Sequence, residues 1–253
     1  MKGWLIGGST DAESNILIGP RCVLTLERCQ DFQIRGNYLN HDYTGGWGQA
    51  FNLNCVDGTC QNILVEHNVI RQGTWPIQGF AGELRYNLIM DAGENWVRSL
   101  GDGTKLHHNL FVHTGGGPVG TGIWLYRKEK NIAIYNNTFD GGAPALDDFK
   151  KPMIDLAGSS SLSSLRHNVF VGVAGGKQPL VWQHDPKASV LNADYNCFFN
   201  PQTPHVALYD PAFGGTFGAH DAKADPKFAQ GAAIPYPIDQ GAVWTRRCKV
   251  SEI

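Results

Sequence analysis

The chain has 253 residues, a formal charge of −2, 42% hydrophobic and 17% charged residues, 31 glycines and 13 prolines. This balance excludes a disordered chain and a charged helical bundle, and the lack of a basic run removes the electrostatic basis for non-specific nucleic-acid binding. No stretch reaches the roughly 18 apolar residues of a membrane span, and the opening MKGWLIGGSTDAES lacks the apolar core of a signal peptide; the expectation is a soluble chain that is a mature form, a fragment, or one lacking its first coils.

In chain order, one phrase returns: FQIRGN at 32–37, ILVEHN at 63–68, ELRYN at 83–87, KLHHN at 105–109, IAIYNN at 132–137, SLRHN at 164–168 and NADYN at 192–196. Its asparagines (37, 68, 87, 109, 137, 168, 196) are 31, 19, 22, 28, 31 and 28 residues apart, each followed by an apolar pair or near-pair. Apolar residues alternate over four or five positions and then meet Asn or Gly, which reads as strand, turn, strand rather than helix. One such unit cannot bury its apolar edge alone, but stacked units bury a continuous column. Asparagine tolerates the left-handed backbone region and its amide can reach the next coil, so the anchors are expected to form both the bend and a ladder.

This phrase resembles that of right-handed parallel β-helix proteins, the group that includes pectate lyases, alginate lyases and polygalacturonases. The resemblance implies an all-β, single-stranded right-handed parallel β-helix (solenoid) over residues 1–200, with about seven recognisable coils. An irregular C-terminal segment, 201–253, is expected to wrap or cap the same domain; its ADPKF at 224–228 resembles a phrase near the C-terminal end of such proteins. In the polysaccharide-acting members the substrate groove lies on the face of each coil's first strand and the loops beside it.

Four positions past the first six asparagines the sequence reads His41, Gln72, Asp91, His113, Gly141 and Gly172, which places polar or titratable groups on coils one to four. The following strands are AFNLN at 50–54, PIQGF at 76–80, WVRSL at 96–100 and GIWLY at 122–126. With Phe51, Ile77, Val97 and Ile123 inward, Asn52, Gln78, Arg98 and Trp124 form the outward column. Trp124, Tyr126 and Arg127 make a stacking platform, Trp75 and Trp96 are expected to pack, and Arg98 could instead pair with Asp91 or Glu94. His67, His108 and His167 read as ladder or surface residues and Lys105 as solvated.

Asp42, Asp91, Glu94 and Asp102 could hold a calcium ion or supply the carboxylate pair of a glycoside hydrolase. Six cysteines match no zinc spacing: Cys55 and Cys60 could clip a loop, while Cys22 and Cys29 would need partners in neighbouring coils. Cysteine usage favours an extracellular or periplasmic protein. The leading expectation is a polysaccharide lyase acting on a uronic-acid polymer, with Arg98 as neutraliser, His113 or His41 as base, and Asp91 orienting a histidine or binding metal. The alternatives are a glycoside hydrolase in the same groove, pairing Asp91 with Glu94, Asp42 or Asp102, and a non-catalytic carbohydrate-binding or scaffold solenoid.

Overall fold

The computed structural model describes residues 3–10, 13–19, 22–41, 48–54, 60–113, 122–141, 152–171, 180–183, 185–199, 218–222 and 224–227. These residues form three sheets whose paired strands are all parallel, with no α-helix among them, the arrangement of a β-solenoid. No helix among them is long and apolar enough to cross a membrane.

The first sheet takes the strand before each anchor, from Gln30–Arg35 through Gln61–Glu66 and Glu83–Arg85 to Ser161–Arg166. The second takes the strand after it, from Tyr38–His41 through Leu88–Met90 to Cys197–Phe199. The third contains Gln49–Asn54, Ile77–Phe80, Val97–Leu100, Ile123–Leu125, Ile154–Leu156 and Val181–Gln183. Equivalent residues of successive strands are Cα partners, so each position in the phrase becomes a column.

The inward columns make one hydrophobic core. Phe51, Ile77, Val97 and Ile123 are all buried in it, as the alternation requires. Phe111, Phe139, Phe170 and Phe198 stack nearly parallel at 4.7–4.9 Å, and Trp96 packs on Phe111 and Phe139.

The asparagines form the expected ladder. Each backbone N–H donates to the Oδ1 of the next anchor at 2.9–3.0 Å, from Asn37 through Asn196. Each Nδ2 donates to that same Oδ1, so the bonds between anchors all run toward the next coil, and also to a carbonyl of its own coil and one of the preceding coil. Two rungs escaped the sequence phrase. Asn15 donates to Asn37, and at the other end Asp221 accepts the N–H and Nδ2 of Asn196 at 2.7 and 3.1 Å. Asp221 ends the column without an orphan amide, because its other oxygen accepts from Gly218.

The bend is corrected by one residue. Left-handed φ values of 52–67° fall on the residue before each anchor: Gly36, His67, Tyr86, His108, Asn136, His167 and Tyr195. The anchor's amide is therefore free for the ladder. The histidines among them sit on the outer corner, where His67 and His108 stack on Tyr86 and His167 stacks on Tyr195.

The cysteine expectation is also corrected: Cys22 and Cys29 are free thiols, as is Cys197, so no bridge joins neighbouring coils through them. Cys60 is disulfide-bonded; Cys55 lies outside the described residues.

Candidate functional site

Alternation along the third sheet turns every second side chain outward, and the register stacks these residues. The column runs Thr25, Asn52, Gln78, Arg98, Trp124, Asp155 and Trp182. Four of these were anticipated. The other three are new: Thr25 precedes the first anchor, and Asp155 and Trp182 follow the coils with polar turn residues, where Gly141 and Gly172 take those places, although MIDLAG before SLRHN repeats the arrangement of GIWLY before IAIYNN.

Arg98 is the centre of this face. Its guanidinium carbon lies 3.7 Å from the centroid of the Trp75 ring, 5.3 Å from Trp124 and 5.4 Å from Tyr126. Trp124 and Tyr126 themselves stack at 4.4 Å, and Arg127 donates to the Tyr126 hydroxyl at 3.1 Å. The alternative ion pairs of Arg98 do not form: Glu94 accepts the Trp75 indole N–H at 2.8 Å, and Asp91 lies 3.4 Å from Arg71. Three π faces hold the cation instead, and its Nε is buried without a hydrogen-bond partner. Trp75 is buried as expected, but it packs against the arginine. Below Arg98, Gln78 accepts from Gln49 at 2.9 Å.

His41, Gln72, Asp91 and His113 do stack at the end of the second sheet. Gln72 N–H donates to the carbonyl of Met90, Asp91 to Val112 and His113 to Asp140, which fixes their order. Their side-chain contacts form a second group, with Arg71 at 3.4 Å from Asp91 and His113 at 3.9 Å from it. Burial pushes the His113 imidazole below its ordinary pKa, against the opposing pull of Asp91 and Asp140, so its neutral form is favoured. His41 is buried under Gly48, where a Cβ would fall on the imidazole.

The acidic candidates disperse. Asp102 accepts the N–H of Lys130 at 2.7 Å, Glu94 holds Trp75, Asp91 faces Arg71, and Asp42 lies outside the described residues. Among the described residues no group of three or more His, Cys, Asp or Glu is placed to share a metal ion.

A titratable cluster that the sequence reading did not assemble lies on the outer face of the first sheet. Glu66 is buried between Arg35 at 3.3 Å and Arg85 at 2.8 Å, and Glu83 joins Arg85 at 2.7 Å and His107 at 3.1 Å. The Nδ1 atoms of His107 and His108 lie 2.8 Å apart, so one carries the proton, and Tyr135 stacks on His107 at 4.7 Å. Burial pushes His107 down. Burial would raise Glu83, but its bonds to His107 and Arg85 outweigh this and hold it below the usual carboxylate range. Opposite charges here pair with each other.

No protein-family model, no curated protein and no solved structure matches this chain.

Proposed function

We propose that this chain is a carbohydrate-active solenoid that binds a uronic-acid-containing polysaccharide along the outer face of its third sheet and cleaves it by β-elimination. The observation that carries this reading is Arg98 held among Trp75, Trp124 and Tyr126. Aromatic faces stack on sugar rings, and a guanidinium beside them pairs with a uronate carboxylate. Neutralising that carboxylate acidifies C5–H. The neutral His113 imidazole takes the proton, the electron pair forms the C4–C5 double bond, and the C4–O bond breaks, the departing oxygen taking a proton from water to release the 4-linked sugar. We further read the solenoid as right-handed with seven anchored coils, because parallel crossovers are right-handed in nearly all folds.

A second reading is binding without turnover. It is favoured by the contacts of His113, which group with Asp91 and Arg71 at the turn while Arg98 belongs to the strand face.

The test is a panel of acidic and neutral polysaccharides, with affinity measured alongside ultraviolet absorbance of unsaturated uronate. Binding of an acidic polymer that Arg98→Gln weakens, with absorbance that His113→Gln abolishes, supports the lyase. Binding without absorbance supports the second reading, and reducing ends without absorbance indicate hydrolysis. Acidic polymers that bind the Arg98→Gln variant as well as the native chain would overturn both the site and the function.

A further inference from the structure

The loop YRKEKN at 126–131 is rich in charge, yet Glu129 within it is only 2% exposed. Its carboxylate gathers donors from three successive coils. Oε1 accepts from Ser99 Oγ at 3.1 Å and, at a longer 3.4 Å, from the Tyr126 N–H. Oε2 accepts from the Arg127 N–H at 2.7 Å and shares the single Ser160 hydroxyl proton with the Ala157 carbonyl, each oxygen lying 2.7 Å from Oγ. The neighbouring cations are engaged elsewhere, Arg127 on the Tyr126 hydroxyl and Lys130 on the Ser159 carbonyl. Burying a carboxylate is costly, and here hydroxyl and amide dipoles offset that cost where a counter-charge would be usual.

Two of these donors belong to the surroundings of Arg98. Tyr126 supplies one of its rings, and Ser99 follows Arg98 directly. Ser99 has a φ of +63°, in the left-handed region that a non-glycine residue enters at some cost. The equivalent position one coil earlier is Gly79, with a φ of +68°, and the pairing skips both residues between Arg98↔Gln78 and Leu100↔Phe80. The left-handed backbone comes free with glycine. With serine it needs support, and the Oγ bond to Glu129 supplies it.

We propose that Glu129 is the positioning residue of the Arg98 site, fixing both the backbone turn after Arg98 and the strand end that carries Tyr126. The functional half of this inference rests on saccharide binding at that face; the geometric half does not. In Glu129→Gln, an amide N–H must face backbone N–H or hydroxyl donors, so at least one of the four bonds is lost. Near-ultraviolet circular dichroism of the stacked Trp124 and Tyr126 should change, and affinity for an oligouronate should fall about tenfold, the effect of one lost bond. Adding Ser99→Gly removes the need for support at this left-handed residue and should restore at least half of the lost affinity, which a generally destabilised loop would not do.

Should Glu129→Gln fail to fold, Ser99→Ala removes a single donor, retains the carboxylate, and should shift the same spectrum to a smaller extent. A changed spectrum in a chain that binds no oligouronate would uphold the positioning role and sink the binding reading. An unchanged spectrum in Glu129→Gln, or in Ser99→Ala where that is the variant in hand, would overturn the proposal. So would lost affinity that Ser99→Gly fails to restore.

Discussion

Replacing Asn109 by aspartate tests the ladder at its middle. Asn109 is buried, and its Nδ2 donates to the carbonyls of Leu84 at 2.8 Å and His107 at 3.1 Å and to Asn137 Oδ1 at 3.1 Å. Aspartate keeps the acceptor that Asn87 uses but turns a second oxygen onto those three oxygens. A buried polar group left unsatisfied costs about 1–3 kcal/mol, so with partial relaxation Asn109→Asp should cost about 3–5 kcal/mol, a large share of a typical domain's 5–15. The converse change, Asp221→Asn, exchanges only the Gly218 bond at the column's end and should cost about 1 kcal/mol or less. Urea titration at pH 7, followed by far-ultraviolet circular dichroism, measures both. Each coil touches chiefly its neighbours, so the mid-column variant should also broaden the transition. If Asn109→Asp lies within about 0.5 kcal/mol of the native chain, the ladder is ornamental and the reasoning fails.

Acid should destabilise the fold through His107 and His113. Burial holds both below the ordinary 6.5, so the unfolded chain takes up protons first; stability is complete above about pH 6.5 and declines as pH falls toward the lower folded values. Melting temperature measured from pH 8 to 5 should fall on the acid side, and a flat profile would contradict the burial argument. Phe139→Ala, which removes the middle of the phenylalanine stack, should cost about 3–5 kcal/mol by denaturant titration. Glu66→Gln strips two arginines of their shared carboxylate; both guanidinium groups are partly solvated, so the loss should be about 1–2 kcal/mol by the same method.

The sheet architecture was legible because one phrase carried both the alternation and the register. Once Val97 was inward, Arg98 and its rung neighbours Gln78 and Trp124 had to share a face. The left-handed residue was misplaced because asparagine satisfies both rules, bend and ladder, and sequence offers no means of dividing them between Asn109 and His108. Asn15 carried a usable signal in its following Ile16 and Leu17, whereas Asp221 did not, since a terminating rung needs a carboxylate and no apolar pair. Formal charge offered Asp91 and Glu94 as alternative partners for Arg98, but the fold gave those groups to Arg71 and Trp75, and its aromatic partners had no charge to mark them. Glu129 was invisible for the same reason: among Arg127, Lys128 and Lys130 it reads as one more solvated charge.

The ladder is also a ruler that ignores contour length. Coils of 19 and of 31 residues place consecutive anchors in the same hydrogen-bonded contact, so the length of a coil varies, in its strands as well as between them, without disturbing the rung. A coil cut between equivalent points of two anchors is thus an exchangeable cassette: it enters in one polarity only, receives donors from the coil before, and hands them on to the coil after. Such a chain can lengthen, shorten or acquire a new loop beside its third sheet without renegotiating the core.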